Sequence, residues 1–443
     1  MPNPLALLQS RQYVILLVFG AIIGIPVAAF AYFFLVLVAH IQHWVFTSLP
    51  SGLGFHSAPA WWPLPILTLC GLLVALTLRY LPGTGGHHPA EGFKTGGSTT
   101  TRELPAAFFA SLATLGLGAV LGPEAPLILM GGGLAVLIVH LIRRDVPDMA
   151  ILVIGAAGSF AAISTLLISP LAGAFLLLEA AGIGGGLVSV MMAPGLLAAG
   201  LGALVFVGLN GWTGFGTFAL AVPDIPKAGT PRIGEFFWAI AIGLLAAVVG
   251  TAIRRIGTFL QPYSERHIVS LTPLLGLGIG GAAVVFFGIT GQPSSLVLFS
   301  GQSALAPLIE HAGSFTVGTL VALIVCKGIA YGLSLSSFRG GPTFPGMFLG
   351  AAGGIALSHL AGLPMIVGAG MGIGAMCTVM LGGMPLTSVL LTLLFLASDA
   401  LDLVSLVIVA VVVAYVAAAR LTPWLKLPDP AAGPAAAPAA APT

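Results

Sequence analysis

The sequence predicts an all-α, polytopic membrane protein built from two inverted-topology, pseudo-symmetric halves with many broken helices. Three observations predict it. The first is composition: 58% of the 443 residues are hydrophobic and 6% are charged, where a soluble domain is about a quarter charged. A chain so poor in charge belongs in a bilayer. The second is the count of 61 glycines and 32 prolines, far beyond the needs of plain spanning helices. Broken helices survive at membrane depth only where they are buried in protein or line a cavity, which favours a transporter or channel over an anchor. The third is internal repetition. Gly122, Pro126 and Gly131 recur as Gly341, Pro345 and Gly350, and His140 recurs as His359, each pair 219 residues apart. Ile23-Gly24 and Gln42 match Ile242-Gly243 and Gln261 at the same offset, and Ser169-Pro170-Leu171 matches Met384-Pro385-Leu386 at nearly that offset. The halves cover roughly 11–215 and 230–425 of one membrane domain, 1–426, and a Pro/Ala-rich stretch, 427–443, reads as a disordered tail.

The elements follow in order. Arg11 precedes the apolar run Tyr13 to Ala39, which has no cleavage site and is read as a retained helix. Apolar runs predict first-half helices over 13–42, 61–80, 103–119, 126–142, 150–167, 170–181 and 188–209. The Gly/Trp/Pro-rich stretch 210–232 reads as the connector between halves. The second half offers 234–260, 271–288, 303–311, 315–335, 345–360, 363–381, 385–397 and 402–422. Several of these are too short to cross about 30 Å at about 1.5 Å per residue. Charge placement predicts the inversion. Arg143 and Arg144 follow His140, no basic residue closely follows His359, and Arg254, Arg255 and Arg266 mark only the second half's early helix. Cytoplasmic loops collect Lys and Arg, so matching segments end on opposite sides. Inverted repeats place a site near the midplane, at the N-termini of discontinuous helices.

Chemistry concentrates in three places where glycines meet a proline entering a helix: Gly85-Gly86-His87-His88-Pro89, Gly122-Pro123-Glu124-Ala125-Pro126 and Gly341-Pro342-Thr343-Phe344-Pro345. Glycine lets a ligand approach the backbone, and proline in a first turn occupies a place where no N–H bond is needed. A helix start carries unpaired N–H groups and the positive dipole end, so it holds anions. Three converging starts make a cage of donors without a fixed positive charge, which lets an anion enter and leave. Glu124, set at such a start, is a tethered anion able to compete with a free one. Burial makes its ionised form costly, and helix-end donors offset that cost.

These motifs resemble those of the CLC family of chloride channels and proton–chloride exchangers. Gly122 to Pro126 is similar to that family's Gly-Lys/Arg-Glu-Gly-Pro, Ser169-Pro170-Leu171-Ala172-Gly173 followed by Glu179 resembles its Pro-Leu-Ala-Gly helix, and Gly340 to Pro345 resembles its Gly-Gly-x-Phe-x-Pro. The likeness runs over roughly 15–425. It implies a gating role for Glu124, an anion held by Gly85, Gly86, His87, His88, Gly122, Pro123, Ala125, Gly341, Thr343 and Phe344, and a homodimer with one pathway per subunit. Tyr415 is the counterpart offered for a family tyrosine near the last helix. The implied partners are chloride or a related small anion and the lipid bilayer of a bacterial-type plasma membrane.

The chain also departs from the family pattern. The family's Gly-Ser-Gly-x-Pro serine falls on Gly86, so a hydroxyl donor is lost; His87 and His88 either replace it, with pH-sensitive charge, or face water. The family's phenylalanine falls on Thr343, and Pro342 has no N–H to give. The exchangers' proton glutamate falls on Ala180, with Glu179 beside it about 100° round the helix, so a proton route through Glu124 and Glu179 is weakened and a channel is favoured over a proton-coupled exchanger. Lys327 and Arg339 either add positive potential to an anion vestibule or snorkel at the interface. Cys70, Cys326 and Cys377 read as small buried hydrophobes. No metal or cofactor is expected. A net charge of +2 gives no reason to expect nucleic acid. A membrane-embedded enzyme would need a His-Glu-x-x-His motif or a Gly-x-Ser-x-Gly elbow, and neither occurs. A secondary transporter of an organic anion remains the other alternative.

Overall fold

The computed structural model describes residues 9–93, 101–143, 145–167, 169–181, 186–215, 230–396 and 400–425; Lys94, Arg144, Asp399, most of the connector and the 427–443 tail lie outside them. The first half comprises α1 (Arg11–His43), α2 (Pro63–Tyr80), α3 (Leu104–Gly116), α4 (Glu124–Ile142), α5 (Asp148–Leu167), α6 (Pro170–Ala181) and α7 (Gly186–Thr213). The second comprises α8 (Ile233–Arg266), α9 (Ile268–Thr290), α10 (Gln302–Glu310), α11 (Val317–Ser337), α12 (Thr343–Ser358), α13 (Met365–Met380), α14 (Pro385–Leu396) and α15 (Ala400–Leu421). Nine helices among the described residues are long and apolar enough to cross a membrane, whereas α6, α12, α13 and α14 are shorter. The chain is a multi-pass integral membrane protein.

The two halves repeat one packing scheme. α1 packs on α5 and α7 and α4 packs on α5; in the second half α8 packs on α13 and α15 and α12 packs on α13. The two second helices, α2 and α9, pack on each other across the pseudo-two-fold.

Several boundaries depart from expectation for local reasons. α1 continues through a π turn, Trp44–Ser48, to Gly52. α4 and α12 begin at Glu124 and Thr343, two residues before their prolines; the first-turn N–H groups are unpaired in any helix, so a proline at the third position costs nothing. α8 runs past Pro262 to Arg266, held at its end by buried Ser264, which donates to the Ser336 carbonyl at 3.1 Å. The expected helix start at Pro89 is only a 3₁₀ turn, Pro89–Glu91, closed by Gly92 at φ 90°, so it has no helix dipole to offer. Arg254, counted above as a loop charge, is instead buried in α8 and donates to the Val379 carbonyl at 3.2 Å. It therefore says nothing about sidedness.

Lys327 does not snorkel. It is fully buried, its Nζ donates to the carbonyls of Leu296, Val297, Leu298 and Phe299 at 3.0–3.2 Å, and it lies 4.6 Å over the Phe348 ring. It ties α11 and the first turns of α12 to a turn whose Phe299 has φ 60°, a conformation that L residues adopt only when held. Replacing Lys327 by Met strands those carbonyls, so the detergent-solubilised variant should lose about 3 kcal/mol of stability, read as a lower thermal midpoint.

Where α12 crosses α13, the helix backbones touch: a Cβ on Gly354 would run into the Gly368 carbonyl, whereas one on Gly353 would meet open space. Small residues allow such close crossings in membranes. Gly354→Ala should therefore broaden or abolish the monodisperse size-exclusion peak, and Gly353→Ala should leave it unchanged.

Candidate functional site

The second and third Gly-Pro motifs meet. Gly122 and Gly341 form an antiparallel bridge, with the Gly122 N–H donating to the Gly341 carbonyl at 2.8 Å and the reverse bond at 2.6 Å. These residues are mates at the repeat offset, so the pseudo-two-fold axis passes between them. α4 and α12 start two residues beyond the bridge, and both helix N-termini therefore open onto one spot.

Glu124 occupies that spot. It is 1% exposed, and its Oε1 accepts the N–H of Thr343, its own repeat mate, at 2.5 Å. Oε2 and the Thr343 hydroxyl have no hydrogen-bond partner. The carboxylate lies so close to the bridge that a Cβ on either Gly122 or Gly341 would overlap it; this is the close approach that requires glycine. The symmetry is broken chemically, because one half presents a carboxylate and the other a short hydroxyl. Pro123 and Pro342 stand at the caps of α4 and α12 and give no N–H, and Phe344 is buried in the first turn of α12.

Beside this cluster lies a cavity of about 780 Å³, walled mainly by apolar residues of α4 and α5. Gly85, Gly86, His87, Ala125, Gly340, Pro342 and Arg339 line it, whereas Glu124 is not among its lining residues. Gly85 and Gly86 take φ of 67° and 113°, the region open to glycine. The structure thus brings Gly85, Gly86, His87 and Ala125 to the cavity, and Gly122, Gly341, Thr343 and Phe344 to Glu124.

Three sequence-nominated residues go elsewhere. His88 turns from the cavity to Glu265 on α8, with Nε2 3.2 Å from Oε1. Burial first, then the nearby Arg339 charge, holds its imidazole down at about 3, so the ring is neutral above that pH and the contact is a hydrogen bond rather than an ion pair. Tyr415 on α15 is 42% exposed with its ring against Gly383. Glu179 caps a helix: its two oxygens accept the N–H groups of Leu386 and Thr387 at 3.1 and 2.7 Å. The repeat explains why. Ser169 caps α6 through Ala172, but the matching position before α14 is Met384, which has no acceptor, so Glu179 supplies one from the opposite half.

Sequence reasoning missed Tyr331. It is fully buried on α11, and its hydroxyl donates to the Pro342 carbonyl at 2.6 Å, one residue from the Glu124 partner. A lone tyrosine between Gly328 and Gly332 in an apolar helix was the available signal. Arg339, read as a vestibule charge or a snorkelling residue, does not snorkel but is buried: Nε donates to the Thr84 carbonyl at 2.7 Å and Nη1 to those of Ser337 and Phe338. The expectation of a cage without fixed positive charge is therefore corrected, because a guanidinium stands beside the first glycine turn.

A membrane protein whose two repeats meet helix-start to helix-start around one carboxylate falls in a narrow class, that of ion transporters and channels built from broken helices. The chain belongs to the voltage gated chloride channel (CLC) family, whose model matches residues 70–419. YfeO of Escherichia coli (strain 55989 / EAEC), provisionally named an ion-transport protein, is 27% identical over 365 residues, 81% of this chain and 83% of that one. Among solved structures, a slow cyanobacterial Cl⁻/H⁺ antiporter superposes with a TM-score of 0.71 at 20% identity, covering 93% of this chain and 98% of that one. A CLC-type fluoride/proton antiporter superposes with a TM-score of 0.66 at 18% identity, covering 91% and 95%.

Because His88 is already neutral above about pH 3, it has no charge to lose between pH 4 and 8. The pH profile of anion flux through His88→Gln should match that of the parent over this range; a shifted profile in reconstituted vesicles would show that His88 titrates there.

Proposed function

We propose that this chain passes chloride or a related small anion across the membrane, with Glu124 as the gate. One observation carries the reading: the Glu124 carboxylate accepts the Thr343 N–H between the two bridging glycines, the berth that a free anion needs. Magnitudes support a gate rather than a fixed strut. An ionised carboxylate at membrane depth costs about 3 kcal/mol, and one charge-assisted hydrogen bond returns about 1.5–3 kcal/mol. The balance is close enough for a proton or a competing anion to shift it. The surroundings favour negative charge as well. Among the described residues the buried carboxylates are Glu124 and Glu235, against buried Arg254, Lys327 and Arg339, and Glu235 is used at the start of α8, where it accepts the Arg232 N–H.

Passive conduction is the first reading. Ala180 offers no proton carrier, and Glu179 spends both oxygens on capping α14. Proton-coupled exchange is the second, favoured by the solved antiporters of the same fold. A homodimer with one pathway per subunit, in a bacterial-type plasma membrane, belongs to the same proposal.

Glu124→Gln keeps the shape and removes the charge, so chloride efflux from reconstituted vesicles should become constitutive and independent of pH. Retention of the parent's pH-dependent flux would overturn the gate. In the parent protein, a reversal potential that ignores an imposed proton gradient identifies a channel, and one that moves with the gradient identifies an exchanger.

A further inference from the structure

The peptide between Pro342 and Thr343 is held at both ends. Its N–H donates to the Glu124 carboxylate at 2.5 Å, and its carbonyl accepts the Tyr331 hydroxyl at 2.6 Å. A peptide is a rigid plane, so a bond that fixes the carbonyl also fixes the direction of the N–H. The two bonds strengthen each other as well. A hydroxyl that draws electron density toward the carbonyl oxygen leaves the N–H of the same amide a stronger donor, and such polarisation adds about 10–30% per bond in a low dielectric. Tyr331, Pro342, Thr343 and Glu124 are all buried, so bulk water reaches no link of the chain.

The tyrosine is itself braced. α11 packs against α8 with Gly332 so near that a Cβ there would lie 2.8 Å from the Ile256 Cβ, which fixes the helix beside Tyr331. Three residues after the tyrosine, on the same face, Ser334 accepts the Val120 N–H at 3.0 Å. One face of α11 thus grips both chains of the bridge, the first half through Val120 and the second through Pro342. The repeat shows that this grip is not a general need of the motif. The mate of Tyr331 at the 219-residue offset is Leu112, and the Pro123 carbonyl accepts the Leu127 N–H of its own helix at 3.0 Å. The hydroxyl stands behind the half whose N–H holds the carboxylate, and its mate in the half that supplies the carboxylate is a leucine.

We infer that Tyr331 is a positioning residue for the gate: acting through the Pro342–Thr343 peptide, its hydroxyl aims and strengthens the N–H that holds Glu124 in its berth. The inference rests on the reading of Glu124 as the gate and deepens it. The other charged or titratable side chains that face this group are Cys377 from α13 and Arg254 from α8, and the substitutions below leave both in place. The N–H donor favours the ionised carboxylate, so weakening it lets the gate open at a lower proton concentration.

Tyr331→Phe removes the hydroxyl and keeps the ring. Chloride efflux from vesicles carrying this variant should switch on at a pH about half a unit higher than in the parent. Replacing Tyr331 with 3-fluorotyrosine, a stronger hydroxyl donor of nearly the same shape, should move the profile the other way. In a Glu124→Gln background no carboxylate remains. There Tyr331→Phe should create no pH dependence and should raise the half-saturating chloride concentration, because the same N–H then faces the free anion. A role in packing alone would change the yield of folded protein, or the flux at every pH, and leave the profile in place. Coincident profiles for the parent and Tyr331→Phe overturn the inference and leave the gate standing, as does a fluorotyrosine shift in the same direction as the phenylalanine shift. Retention of the parent's pH-dependent flux by Glu124→Gln alone overturns the gate and the inference with it. If Tyr331→Phe does not fold, the fluorotyrosine profile decides.

Discussion

The two-fold meeting of Gly122 with Gly341 is the constraint on which the rest of this structure depends. A pair of reciprocal backbone hydrogen bonds brings two helix starts to one point deep in an apolar protein. Unpaired N–H groups gathered there have no water to satisfy them. A carboxylate from one half answers the donor of the other half, and the fit is tight enough that a methyl group on either glycine would fill the same space. Gate and scaffold are thus one contact, because the interaction that relieves the buried donor also closes the berth.

The same logic of supplying a missing partner from across the molecule recurs. Glu179 caps α14 where the repeat has put Met384 in place of a serine. Lys327 gathers four carbonyls of an irregular turn that has no helix to bond into. Arg339 ties the 84–87 turn to the entrance of α12. Each is a charged group placed where broken secondary structure leaves polar backbone inside an apolar layer. That explains why Lys327 and Arg339 are buried although charged.

Much of the fold was legible in the sequence, because hydropathy and helix-breaking residues act locally. The run from Tyr13 to Ala39, the short helix after Ser169-Pro170 and the paired Gly-Pro motifs can each be read from a window of a few residues. The start at Pro89 was misread because a proline after glycines marks where a helix can begin, and nothing in that window says whether it continues. Arg254 was misread because an arginine near a helix end has the same local signature whether it faces a loop or turns inward to the Val379 carbonyl. At the site, Glu124, Gly122 and Gly341 stood out through the repeat, whereas Tyr331 and the fate of His88 depend on which face each helix or turn presents.

By itself the sequence determined that this is a membrane chain of two related halves with one carboxylate at a helix entrance, since composition, repetition and turn chemistry are properties of short segments. Only the tertiary structure decided who answers whom: Thr343 for Glu124, Leu386 and Thr387 for Glu179, Glu265 for His88, Thr84 for Arg339. The physical reason is that the acceptors and donors involved are mostly backbone groups. Nearly every residue carries them, so no residue type marks them, and only the packing of helices far apart in the chain selects which ones meet.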